Sequence, residues 1–443
     1  MGTTEMYVSL DIGTTSIKVV VAEYINGQMN IIGVGNEKSE GLNRGIIVDI
    51  DKTVQSINKA IKQAEKKANV TIRNVIVGIP STSVEIEACH GMVAVSGENR
   101  EITEVDVQNV LAAAMVKSVP PEREILTILP EEFIVDGFDG IKDPRGMIGV
   151  RLEMHAIMLT GPKTILHNTK RCVEKAGLQI QNIVLQSLAA SSVAMSSGER
   201  DFGTILLDLG GGQTTASVMH DHQLKYTYVN QEGGDYVTKD ISVVLNTTIE
   251  SAERIKRDYG YALPEETSPE ETFPIEVIGK SQPVKIDERY LSEIIEARMV
   301  QIFEKVKFEL DKVGARALPG GMILTGGAAA LPGAIELAED TFEIPVKLYI
   351  PHQMGLRYPA FTTGIGLIQY EANLDDIHQI MKEYQLGVTR SEDSSYNVKS
   401  ENFPENDEHS FLEYEKEKPL KKEKKQEDKW SNKAKNFISN FFD

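Results

Sequence analysis

Along the first 390 residues the spacing of apolar positions alternates between a strand period and a helix period. Tyr7–Ile12 is an apolar run suited to a buried strand; it turns at Gly13-Thr14-Thr15-Ser16 and returns as a second strand over Ile17–Glu23. Asp51–Ala68 is helical, with Val54, Ile57, Ile61, Ala64 and Ala68 on one face. Lys163–Ala176 predicts another helix, stopped by Gly177. Between these helices, residues 82–161 have a different texture: a hairpin (Val84–Ala88 with Met92–Val95), a helix opened by the capping box Thr103-x-x-Asp106, and strands near Ile125–Leu129 and His155–Leu159. That reads as a small inserted α+β unit. Farther on, Asp287–Val313 carries Leu291, Ile294, Ile295, Met299, Ile302, Val306, Leu310 and Val313 along one stripe of a long helix. Alternating strands and helices favour an α/β class.

The pattern stops near Arg390. Residues 391–428 hold 12 acidic and 7 basic side chains without sustained apolar periodicity, so disorder is expected there. Periodicity then returns. Trp430, Ala434, Phe437, Ile438, Phe441 and Phe442 fall on one face of a helix, with Lys433 opposite and Lys429 and Lys435 flanking. An aromatic face with a lysine fringe suits an anionic membrane surface, whereas docking on its own domain or on a partner is the alternative. As a coil, the preceding segment averages roughly 35 Å end to end, enough to suspend a folded body below a bilayer.

Composition narrows the picture. The chain has 443 residues, long enough for two to four domains, and 41% are hydrophobic, as expected of a protein with a sizeable core. A net charge of −19 argues against a general nucleic-acid binder, which needs a basic face. Only Cys89 and Cys172 are present, without metal-ligand spacing, and a reduced cytoplasmic setting is expected. The polar start predicts no secretory signal, and no apolar run is long enough to span a bilayer.

Candidate chemistry lies in a repeat. Val8-Ser9-Leu10-Asp11-Ile12-Gly13-Thr14-Thr15 is echoed by Ile205-Leu206-Leu207-Asp208-Leu209-Gly210-Gly211-Gly212-Gln213-Thr214. Each is a buried strand ending in Asp, then a Gly-rich turn with hydroxyls. Glycines let backbone N–H groups approach phosphate oxygens, and Asp11 and Asp208 can each hold the waters of a Mg²⁺ ion. Either turn alone is an ordinary hairpin; the duplication points to two related domains gripping one nucleotide. Strand Met322–Thr325 followed by Gly326-Gly327-Ala328 leaves room for a flat base or ribose. Glu253 and Lys256 share one face of the helix Ile249–Tyr259, as ligands or as a surface ion pair, and Gly233-Gly234 lets the chain pass close to a ligand.

These segments resemble, in order and spacing over about residues 6–370, the phosphate and adenosine motifs of the actin/DnaK/sugar-kinase superfamily. The inserted unit, the Ile294-Ile295-Glu296-Ala297-Arg298 helix ahead of the Thr325-Gly326-Gly327 turn, and the tail are similar to the FtsA family of bacterial cell-division proteins. The resemblance implies an actin-like ATPase fold, with two duplicated RNase H-like domains around a cleft for ATP and Mg²⁺ and an inserted SHS2-type subdomain. It divides the chain into a first domain (1–81 with 162–197), the insert (82–161), a second domain (198–225 with 307–390), its outer subdomain (226–306), a linker (391–428) and a membrane helix (429–443). Lys18 matches an actin-type lysine expected to meet a phosphate; a solvated lysine on a strand edge is the other reading.

The same resemblance implies filaments of the protein itself on the cytoplasmic face of the membrane. There the outer subdomain would receive the C-terminal peptide of FtsZ, and the insert would recruit later division proteins. Arg298 could meet acidic groups of that peptide, or pair with Glu293 or Glu296. At Gln186-Ser187 the DnaK-type chaperones carry Glu-Pro. A neutral amide orients water but is no base, so hydrolysis should be slow if Gln186 has that role rather than capping a strand. A small-molecule kinase or a pilus-assembly scaffold of the same fold are the competing functions, and neither accounts for the aromatic tail.

Overall fold

The computed structural model describes residues 5–25, 27–97, 99–116 and 119–387; the linker and the aromatic tail lie outside the described residues. Two five-stranded sheets share one topology. In the first, Glu5–Ile12, Ser16–Ile25 and Gln28–Lys38 form an antiparallel meander, and Asn74–Ile79 then Gln179–Leu185 add in parallel beyond Glu5–Ile12. In the second, Thr204–Leu209, Thr214–His220 and Gln223–Asn230 form the meander, and Met322–Thr325 then Val346–Leu348 add in parallel. The central strands are covered on both faces, which explains their continuous apolar runs.

Helix Ile50–Ala68 lies on the first sheet over glycines. A methyl group at Gly35 would sit 1.9 Å from the Ala60 carbonyl oxygen, so backbone meets backbone there. The Asp49 carboxylate accepts from the Lys52 amide at 3.1 Å and caps the helix. Helix Gln186–Ala194 leads from the first sheet to the second, and helix Thr362–Ala372 returns across it. One core cluster therefore draws on both sheets: Ile76, Val184, Leu185 and Leu188 pack with Leu206, Met219, Leu224 and Ile323.

On this return, Ile365 and Ile368 pack against Val20 and Ala22 of the first sheet. Helix Asp376–Leu386 then inserts Ile377, Ile380 and Met381 into the core of the insert. Arg145, held by Asp143 at 2.6 Å, also reaches Asp376 at 3.2 Å. Apolar spacing could announce that helix but not the surface it would cover.

The insert is a four-stranded antiparallel sheet, Glu85–Ala94, Arg151–Pro162, Arg123–Val135 and Phe138–Ile141 in that spatial order, with helix Glu104–Met115 on one face. The hairpin expected within 84–95 is a single strand. Gly91 is not a turn residue; a methyl there would lie 2.1 Å from the Val110 carbonyl oxygen, so glycine lets the helix settle on the strand. The hairpin turns instead at Asp136-Gly137, both at positive φ. The expected capping box forms: the Thr103 amide and hydroxyl donate to Asp106 at 2.9 and 2.8 Å. The long helix spans Glu288–Lys312, capped by Asp287, which accepts from the Tyr290 amide at 2.8 Å.

Because Ile380 completes the insert's core, Ile380→Ala should lower stability by about 2–4 kcal/mol in urea unfolding, as a buried cavity does. An unchanged midpoint would show that the helix is not part of that core.

Candidate nucleotide site

The duplicated strands bring the two Gly turns face to face. Asp11 is 5% exposed, near the end of the first central strand, and Asp208 has the matching place in the second. Lys18, opposite Asp11 in the hairpin, puts its ammonium 3.3 Å from the Asp11 carboxylate and is itself 8% exposed. The solvated-lysine reading therefore fails. Removal from water and then the charge of Asp11 push the Asp208 carboxyl up to about 6, against the pull of Lys18. A methyl at Gly326, which sits at φ +96, would stand 2.3 Å from the Asp208 carboxylate, so that turn needs glycine.

The turns themselves touch. A side chain at Gly211 would meet the Thr15 hydroxyl at 1.8 Å, and one at Gly212 would meet the Thr14 side chain at 2.4 Å. The Thr15 hydroxyl donates to Asp235 at 3.3 Å, and the Thr14 hydroxyl accepts from the Gly45 amide at 2.7 Å. Gly233 and Gly234 fold back under the second turn, with the Gly234 amide donating to the Gly210 carbonyl at 2.9 Å. Thr214 anchors that loop by donating to the Glu232 carbonyl at 2.8 Å, and Gln213 packs on Gly45.

Beyond Gly234, Glu253 and Lys256 form an ion pair at 2.6 Å that is not confined to the surface. The Lys256 ammonium also donates to the Gly234 carbonyl at 3.0 Å and to Thr238 at 2.7 Å. Burial works against it, but Lys256, Thr238 and Arg257 hold the Glu253 carboxyl below the usual range. Ala328 comes near Gly234: a methyl on that glycine would lie 2.9 Å from the Ala328 side chain. Gly327 accepts from the Tyr358 hydroxyl at 3.1 Å. The floor is Gln186, whose amide nitrogen donates to Asp11 at 2.9 Å. Ser187, the next residue, bonds Ser81 at 2.6 Å and Ser217 of the second sheet at 2.7 Å.

Arg298 lies on helix Glu288–Lys312. It pairs with neither Glu293 nor Glu296; the guanidinium is held by Asp240 at 2.5 and 3.0 Å and reaches Glu232 at 3.7 Å. Asp235, Thr238 and Arg44 were missed in the sequence. The first two follow Gly233-Gly234 within one helical turn, a signal that was readable; Arg44 has none, because its neighbours come from the other sheet.

The family model "Cell division protein FtsA" matches residues 205–366, and "SHS2 domain inserted in FTSA" matches 81–160. A cell division protein FtsA of Enterococcus hirae is 56% identical over the whole of both chains. That of Bacillus subtilis is 48% identical over 84% of each. The chain belongs to the FtsA family. Among solved structures, a PilM-PilN type IV pilus biogenesis complex matches 83% of this chain and 99% of its own, with TM-score 0.57 and 15% identity. MreB5 of Spiroplasma citri bound to AMPPNP matches 86% and 99%, with TM-score 0.53 and 14% identity. These two likenesses establish the actin-like ATPase fold of this FtsA-family chain.

The raised carboxyl of Asp208 has a stability consequence. Below its ordinary value of 3.8 the acid is protonated folded or unfolded, and no penalty exists. Between 3.8 and about 6 the unfolded chain gives up this proton while the folded one keeps it, so stability falls across that window and the full cost is present above it. Asp208→Asn should therefore stabilise the nucleotide-free protein by about 1–3 kcal/mol at pH 7.5, and the gain should vanish near pH 4, as read by urea unfolding at both values.

Proposed function

We propose that this FtsA-family division protein binds ATP with Mg²⁺ between its duplicated turns, polymerises on the inner face of the cytoplasmic membrane, and tethers the FtsZ ring there. The observation that carries the nucleotide reading is the pairing of two Gly turns, each following an aspartate on a central strand. Burial and then the charge of Asp11 push the Asp208 carboxyl up to about 6, and a divalent cation at the two carboxylates would relieve their repulsion. Mg²⁺ held through water by Asp11 and Asp208 would supply charge neutralisation for the phosphates.

Each part of the site then has a task. Backbone amides of Gly13, Thr14, Thr15 and of Gly210, Gly211, Gly212, Gln213 cradle phosphates, with the Thr14, Thr15 and Thr214 hydroxyls fixing the loops. Lys18 balances the charge at Asp11. Glu253 and Lys256 take the ribose side, and Gly326, Gly327 and Ala328 take the base. Gln186 orients the attacking water without accepting its proton, so turnover is slow. Its bond to Asp11 and the bond of Ser187 to Ser217 run in series, which suits a protein that uses its nucleotide to set the relation of two sheets.

The tethering half of the proposal rests on sequence. Among the described residues no helix is long and apolar enough to cross a membrane. The tail instead offers Trp430, Phe437, Ile438, Phe441 and Phe442 with Lys433 and Lys435 to an anionic surface. A single tail of this size binds weakly, and a filament converts many weak contacts into avidity. The outer subdomain, 226–306, would hold the FtsZ peptide and the insert the later division proteins. Arg298 could join the peptide contact only by exchanging Asp240 and Glu232 for the peptide's acids.

Co-sedimentation with vesicles containing anionic lipid tests this reading. The full chain should pellet, more so with Mg-ATP, and a chain ending at Asp428 should stay in the supernatant with its ATP affinity intact. Equal pelleting of both forms would remove the tail from the mechanism, and absence of ATP binding would remove the nucleotide.

A further inference from the structure

The ribbon formed by Leu42–Asn43 and Ile46–Ile47 has its base in the first core, where Leu42 and Ile47 pack with the first sheet. Its two-residue tip, Arg44-Gly45, reaches the other half of the molecule. The Gly45 amide donates to Thr14 of the first turn, while a methyl on Gly45 would stand 2.2 Å from the amide oxygen of Gln213 in the second. Arg44 goes farther: its guanidinium donates to the Tyr236 hydroxyl and sits 5.6 Å from the centre of that ring. Tyr236 follows Asp235, the residue that receives Thr15, and Arg298 stands 5.7 Å from the same ring.

The choice of residue at the tip is informative. Arg44 and Gly45 both have positive φ, 49° and 77°, the geometry of a tight hairpin turn that Asn-Gly or Gly-Gly adopts with less strain. An arginine in that conformation costs backbone energy, and its exposed side chain recovers no core packing in return. What it gains is the contact with Tyr236.

The geometry points to Arg44 as a latch: its bond to Tyr236 ties the two halves together across the phosphate turns, so that opening the cleft to admit or release a nucleotide requires this bond to break. The inference rests on the nucleotide reading above and adds a residue that controls exchange rather than one that holds the ligand. It also gives the ribbon a purpose that its own short pairing does not.

Displacement of a fluorescent ATP analogue by excess unlabelled ATP, with Mg²⁺ present, measures it on the full chain. Arg44→Gly keeps the turn and should fold at least as stably as the parent, yet release the analogue about tenfold faster, the loss expected for a charged hydrogen bond with its ring contact. Tyr236→Phe keeps the ring and should give a smaller acceleration. Conversely, a bismaleimide link between Arg44→Cys and Tyr236→Cys should slow release below the parent rate; the native Cys89 and Cys172 are buried and do not compete. Release rates equal to the parent's in Arg44→Gly and in the linked protein would overturn the latch while leaving nucleotide binding intact. Failure of the parent chain to bind the analogue would overturn the nucleotide reading and the latch with it.

Discussion

Where helix Gln186–Ala194 meets helix Thr362–Ala372, the backbones are nearly in contact: a methyl at Gly366 would lie 2.1 Å from the Ala189 carbonyl oxygen. This crossing sets how the two sheets face each other, because one helix leaves the first sheet toward the second and the other returns. The floor of the cleft is mounted on it. Gln186 opens the first helix and holds Asp11, and Ser187 beside it ties Ser81 of the first half to Ser217 of the second. Widening the helix pair by one methyl would shift both bonds at once, so the floor of the site and the relation of the halves are a single structural variable.

Above that floor the site is electrostatically unfinished. Asp11 has Lys18 and Gln186, but among the described residues Asp208 has no comparable partner, and burial and then Asp11 drive it toward its neutral form. Such a carboxylate is a cost to the fold, and functional sites are where such costs are kept. The turns around it are made of glycine because they approach each other and the Asp208 carboxylate more closely than any side chain permits. Close backbone approach and an uncompensated acid are what a phosphate chain with its cation would use.

The insert shows how a module can be recognisable and still depend on distant sequence. Residues 81–160 match a family model of their own, yet their core is completed by Ile377, Ile380 and Met381 from the last described helix. The segment that continues toward the aromatic tail is thus packed into the insert.

Periodicity and local turn chemistry determined much by themselves. The central strands, the helix at 288–312, the Thr103 capping box and the duplicated Asp–Gly turns are all written within short windows, because each depends on neighbours less than two helical turns away. A repeat of the same window was enough to imply two halves and one ligand. What sequence could not supply was contact between windows. The hairpin expected between Val84–Ala88 and Met92–Val95 is one strand because Gly91 there serves the backbone of a helix, and a glycine required by a neighbour's backbone looks like one required by φ in one dimension. The return of 359–386 to the first sheet and the insert, the Asp240 partner of Arg298, and the reach of Arg44 to Tyr236 across nearly two hundred residues were likewise decided only by the tertiary structure, because which apolar face meets which, and which charge finds which, depends on where the whole chain has already been placed.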